Sequence, residues 1–170
     1  YTPFVRVEKG EFRNKDIRDI EKENNKVTCL IPQLIASTPA ELEKLVGLFL
    51  ERGYREADIN MGCPFPLLTM RHKGSGILPY PSEVKVLLNE LAHYPEMKFS
   101  VKMRLGWEYY DEWRQVEASH YRIHSFFVQF GKADTYRSEE LVAGMFQIML
   151  VIGIIHNSLQ VAFIVAYLHF

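Results

Sequence analysis

Apolar runs of strand character alternate along this chain with stretches whose apolar residues recur every three or four positions. Val27 to Ile35 is a β-rich apolar run. Ser37-Thr38-Pro39 then offers a cap followed by proline at a first helical position, with Glu41 in the first turn. Leu42, Leu45, Val46 and Phe49 follow at helical spacing until Gly53, a natural stop. Ala57 to Asn60 predicts a second strand, and Ser82 caps a helix whose apolar face is Val84, Leu87, Leu88 and Leu91. Lys98 to Leu105 alternates with period two and predicts a third strand. Further on, 111–118 has a helical pattern, 122–130 a strand pattern, 138–150 a helical one and 152–156 a strand pattern again. Strands separated by helices of this length imply βαβ units and a parallel sheet, here with about five strands and four helices. The polar, charged segment 1–26 is expected to be an extended or loop region ahead of the first strand.

A chain of 170 residues fits one domain, and its 48% apolar and 24% charged content suits a globular protein. A formal net charge of -1 argues against a generic nucleic-acid coat, so any RNA contact must come from a local basic patch. The two cysteines, Cys29 and Cys63, make neither a disulfide framework nor a zinc cluster. No metal is expected, and a reducing, cytoplasmic setting suits them. Cys29, within an apolar run, is expected to be a buried structural thiol. The start, Tyr1-Thr2-Pro3, has neither an initiator Met nor a signal-peptide apolar region, so Tyr1 need not be the natural first residue. Residues 145–170 are mostly apolar, but Gln147, His156, Asn157, Ser158 and Gln160 interrupt them. A membrane-spanning helix needs roughly 20 predominantly apolar residues, so buried strand and helix are expected there rather than membrane.

In parallel α/β sheets the chemistry collects where strands run out into loops at their C-terminal ends. Asn60 and Cys63 follow one strand end, Gln33 lies within or near another, and Lys102 with Arg104 closes a third. Cys63 sits between Gly62 and Pro64, in "DINMGCPFPLLTMRHKGSG" at 58–76. A glycine-spaced cationic segment, Arg71-His72-Lys73-Gly74, completes that stretch. Each of these residues also has a plain reading. Cys63 fits a buried structural cysteine, Asn60 a strand-ending turn residue, and Lys102 and Arg104 ordinary surface charge.

Four motifs change that balance. "PQLIA" at 32–36, "DINMGCP" at 58–64, "RHKGSGIL" at 71–78 and "SVKMRLGW" at 100–107, in this order with helices between, resemble the tRNA-dihydrouridine synthase family. The resemblance covers about residues 1–113 and implies a flavin-dependent (β/α)8 barrel of the TIM type. That family reduces uridine in tRNA to 5,6-dihydrouridine, with NADPH reducing FMN. It implies Cys63 as the acid that protonates the pyrimidine opposite the hydride. A thiol with a pKa of about 8.5 is still mostly protonated at neutral pH and can donate. By the same resemblance Gln33 faces the flavin, Lys102 sets a cation near its N1–C2=O edge, and Arg104 contacts uridine or tRNA. Asn60 either hydrogen-bonds the uracil edge or holds the cysteine loop. Arg71, His72 and Lys73 on a flexible loop would take tRNA phosphates. His124 and Asn157 stand where the family has flavin-contacting residues, though a strand-interior or turn role fits each as well.

Past residue 113 the match degrades, so the expected architecture is one incomplete barrel domain over 1–170. About five βα units are expected, with the first strand and the last strands missing. The family's later glycine-arginine phosphate site and C-terminal helical tRNA-binding domain have no counterpart. Two rival readings are an RNA-binding or interaction module without flavin, and another FMN barrel oxidoreductase; the basic segment after Cys63 speaks against the latter. The 170-residue chain is expected to bind FMN weakly or not at all, and a stable yellow complex on purification would contradict this.

Overall fold

A computed structural model describes residues 1–107, Tyr109, Glu112, Arg114, Val116 and a strand over 123–128. Its elements run β1 (Phe4–Glu8), β2 (Glu11–Phe12), α1 (Asn14–Ile20), β3 (Gln33–Ile35), α2 (Pro39–Glu51) and β4 (Glu56–Met61). They continue as α3 (Pro66–Thr69), α4 (Pro81–Asn89), β5 (Lys98–Met103) and β6 (Ile123–Val128), with short 3-10 turns at Lys22–Asn24, Gly74–Ile77 and Glu90–His93. The strands form one sheet in the order β2-β1-β3-β4-β5-β6. Every pairing is parallel except β1 with β2. From β1 onward, the parallel strands lie in chain order without reversal. Barrel-type sheets grow this way, whereas doubly wound sheets reverse at a switch point.

The helices begin where the sequence provides their first hydrogen bonds. Thr38 caps α2, its Oγ1 accepting from the Glu41 N–H at 3.3 Å, and Pro39 follows at the first helical position. The Glu41 carboxylate reaches back to accept from the Ser37 N–H at 3.0 Å. Leu42, Leu45, Val46 and Phe49 of α2 are fully buried, as are Val84 of α4 and Leu91 just beyond it. They cluster with Ala57, Ile59 and Met61 of β4 and with Phe99, Val101 and Met103 of β5. Successive side chains alternate across a strand, so Asp58, Asn60, Ser100 and Lys102 turn to the opposite face of the sheet. That polar face carries the candidate site.

The N-terminal segment differs from the loop expected of it. Phe4, Val5 and Arg6 pair in parallel register with Gln33, Leu34 and Ile35. Lys9 and Gly10 both have positive φ, 52° and 83°, which closes a tight hairpin into β2. Helix α1 follows, and the Tyr54 hydroxyl donates to the Ile20 carbonyl at 2.6 Å. Charged residues interleaved with Phe4, Val5, Val7, Ile17 and Ile20 concealed both periods.

The run 27–35 is strand only from Gln33. Pro32 has no N–H to give a ladder, and Val27 stands 58% exposed on the connection before it. Cys29 lies on that connection, outside any strand and exposed, which corrects the expectation of a buried thiol. The strand expected over 122–130 is observed as β6. The helix expected over 111–118 falls largely outside the described residues, and the helix expected over 138–150 and the strand expected over 152–156 fall wholly outside them. Truncating Leu45 to alanine should cost about 2–5 kcal/mol. A matching fall in the urea midpoint with an unchanged slope is the expected measurement.

Candidate active site

The register of three strands assembles the site in two layers. Gln33, Asp58 and Ser100 are side by side, and Asn60 stands beside Lys102 two residues further along, a step of about 7 Å. Gln33 thus opens β3 rather than ending it and lies in the lower layer, from which its side chain reaches Asn60.

Asp58 is the centre of the lower layer. Ser100 Oγ donates to Oδ1 at 2.6 Å and Gln33 Nε2 donates to Oδ2 at 2.6 Å. Asn60 Nδ2 donates to Gln33 Oε1 at 2.7 Å. Asn60 Oδ1 accepts from the Gly62 N–H at 3.1 Å and the Cys63 N–H at 2.9 Å. Asp58 is 1% exposed, and burial pushes its carboxyl up from 3.8 to about 6. The bonds from Ser100 and Gln33, then the charges of Lys102 and the N-terminal ammonium, oppose that rise.

The Cys63 loop is held from several sides. Arg104 Nε donates to the Gly62 carbonyl at 2.7 Å. The Ser75 N–H and Oγ both donate to the Cys63 carbonyl at 3.0 Å. All four backbone polar groups of Gly62 and Cys63 are therefore satisfied, by Asn60, Arg104 and Ser75. Gly74 makes this approach possible. It has φ +61°, and a Cβ there would lie 2.5 Å from the Cys63 oxygen. The thiol, half-buried, is presented on a braced backbone rather than sunk in the core.

The expectation of a flexible basic lip at 71–76 is corrected by the same contacts. Gly74, Ser75, Gly76 and Ile77 are buried. Lys73 is 5% exposed, and its Nζ lies 2.6 Å from Glu41 Oε1, so its charge is spent on the α2 cap and not offered to solvent. His72 has φ 51°, stacks on Tyr80 at 3.8 Å and places Nδ1 2.7 Å from Glu83 Oε2. Arg71 alone of the three is exposed.

Lys102 is half-buried on the site face and makes no hydrogen bond or ion pair with the described residues. The register passes from Phe99 opposite Ile123 to Ser100 opposite Ser125, so His124 occupies the extra position of a bulge in β6. The His124 side chain and Asn157 lie outside what the structure describes. Asp58, Ser75 and Ser100 were not anticipated as site residues. The signal for Asp58 was present: an acid between Ala57 and Ile59, inside an apolar strand. Glu112 braces the loop after β5, accepting from the N–H groups of Trp107 and Tyr109. Among the described residues no group of three or more His, Cys, Asp or Glu could hold a metal ion. No described helix is long and apolar enough to cross a membrane.

A parallel sheet whose cysteine loop lies just past the end of β4, held there by Arg104 just past the end of β5, defines an α/β protein with its polar groups gathered on one face. A family model described as dihydrouridine synthase (Dus) matches residues 1–121, and the chain belongs to that family. The tRNA-dihydrouridine synthase B of Klebsiella pneumoniae is 34% identical over 76 residues, 45% of this chain and 24% of that protein. The Escherichia coli K12 protein of the same name is 35% identical over 75 residues, 44% of this chain and 23% of that one. The probable tRNA-dihydrouridine synthase 2 of Bacillus subtilis is 34% identical over 86 residues, 51% and 26% of the two chains. The match thus spans about a quarter of the length of these relatives.

The raised pKa of Asp58 has a definite sign. Folding favours its protonated form, so this contribution to stability is full below about pH 4 and is lost as the pH rises through about 6. Roughly two pKa units correspond to about 3 kcal/mol at most. Asp58→Asn should remove this component, giving a flatter stability profile in urea titrations between pH 4 and 7. An unchanged profile would contradict the assignment.

Proposed function

We propose that this chain carries the reducing half-site of a tRNA-dihydrouridine synthase, with Cys63 as the proton donor to uracil and FMN as cofactor. The braced, half-buried thiol carries the reading. Loop bracing of this kind is needed for a group that must meet one carbon of a bound ring at a set distance, and a structural cysteine needs none.

The described residues fit a flavin. Lys102 is a cation without a partner among them, on the same face as Gln33 and Asn60. Such a cation suits a ring edge on which negative charge gathers. Gln33 and Asn60 would hold the ring by their amides, each of whose nitrogens carries a second N–H beyond the bond described. FMN, when bound, supplies a hydride to one carbon of the uracil C5–C6 double bond, with NADPH as the source of electrons. Cys63 Sγ gives its proton to the other carbon, and the thiolate left behind recovers a proton from solvent. Asn60 and Ser75 keep the sulfur in place while this happens, and Arg104 ties the same loop to β5.

The substrate proposed is tRNA. Phe65, two residues after the thiol, is 51% exposed, and Leu67 and Met70 are 65% and 78% exposed. An exposed aromatic ring suits stacking on an unpaired base, and a uridine must leave its stack to be reduced. Arg71, exposed beside them, suits a phosphate. With NADPH present and FMN at concentrations high enough to offset the weak binding expected of this chain, it should convert uridine in unmodified tRNA to a product two mass units heavier. Cys63→Ala should lower that rate by about 10²-fold or more, with tRNA affinity unchanged. A wild-type chain that binds tRNA and makes no dihydrouridine under these conditions would overturn the reading in favour of an RNA-binding module.

A further inference from the structure

The two side-chain amides of the site have a direction, and both ends of the chain they form dictate it. A carboxylate can only accept, so Gln33 must turn Nε2 to Asp58 and Oε1 to Asn60. Backbone N–H groups can only donate, so Asn60 must turn Oδ1 to Gly62 and Cys63 and Nδ2 to Gln33. The two demands agree. Reversing either amide would set donor against donor at the loop or oxygen against carboxylate at Asp58. Every link measures between 2.6 and 3.1 Å, over five residues on two strands and a loop.

From this juxtaposition we infer that Asp58 is a positioning residue. Its carboxylate acts through Gln33 and Asn60 as a one-way relay that orients the Cys63 loop. Asp58 touches neither the loop nor the thiol in any hydrogen bond described, so its influence runs through the amides. Polarisation along such a chain strengthens each bond when the terminal acceptor is charged and weakens it when that acceptor is protonated. Among the described residues, the charged and titratable groups acting on Asp58 are Lys102 from β5 and the phenol and ammonium of Tyr1, and that phenol in turn senses Glu56 and Cys29. From β3 only the neutral Gln33 faces it. The relay's catalytic meaning rests on the proposed role of Cys63, but its existence can be read without turnover.

The test follows backbone and side-chain N–H resonances of the whole chain by nitrogen-15 NMR across a pH titration, in a His72→Asn background. That substitution removes the one histidine on the segment clamped to Cys63, and asparagine tolerates a positive φ. The Gln33 and Asn60 side-chain amides and the Gly62 and Cys63 N–H groups should shift together, with one shared midpoint near 6. Asp58→Asn should abolish that shared step. Gln33→Met cuts the relay in the middle. Ser100 should then still sense the titration of Asp58, while Gly62 and Cys63 no longer do. Their hydrogen exchange should rise by about tenfold, the worth of a weakened hydrogen bond, while Ile59 and Val101 in the ladder are unchanged. A carboxylate that acted on these groups only through space would leave the step at Gly62 and Cys63 in place when Gln33 is replaced. If Gly62 and Cys63 keep the step in Gln33→Met, or lack it in the parent, the relay is refuted. If Gln33→Met does not fold, Gln33→Ala, read by the same resonances, decides between the same outcomes. Neither result depends on whether uridine is reduced, so the relay and the proposed function can fail separately.

Discussion

A carboxylate buried between strands has to find donors or give up its charge, and Asp58 finds them on both neighbours. Ser100 on β5 and Gln33 on β3 satisfy its two oxygens, so three adjacent strands are tied by side chains as well as by their ladders. Much else follows from that one requirement. Gln33, held at its nitrogen, offers its oxygen to Asn60, and Asn60 is left with an oxygen for the loop that carries the thiol. The cost of burying the acid is visible in its raised pKa, and the arrangement of the sulfur is what the burial sustains.

Bracing the thiol takes more than one element. Gly74 must bend the left-handed way and come against the Cys63 carbonyl, so that Ser75 can donate to it. That bend is itself anchored, since Lys73 just before it is paired with the acid that helps cap α2. The glycine-spaced cationic motif is thus a buckle, fastening the cysteine loop to the helix one strand earlier. Its basic letters suggest nucleic acid, yet in Lys73 the charge is used inside the protein.

The sequence showed well those features governed by a single strong period. Helix α2, helix α4 and strands β4 and β5 followed from the spacing of Leu42, Leu45, Phe49, Val84 and Leu87, and from alternation at Lys98 to Met103. Strand β1 and helix α1 were hidden because charged residues dilute their apolar positions. Pro32 shortened the strand that follows them for lack of an N–H. At the site, Cys63, Asn60 and Lys102 stood out through their motifs. Asp58 did not, since an acid in a strand shows its importance only once its donors are known, and those come from positions 33 and 100. Lys73 misled for a related reason, because its partner at 41 lies far away in the chain.

The hairpin at the N-terminus has an effect on how molecules of this protein meet one another. Among the described residues it forms one rim of the sheet, and a rim of open backbone is an invitation to aggregate. Here the outermost strand is two residues long, and the final rung sets Glu8 directly opposite Glu11. With Arg6 paired to Glu8 at 3.4 Å, the charge left over on that rung is that of Glu11. Charge on so brief an edge strand disfavours the zipping of a further strand onto that side.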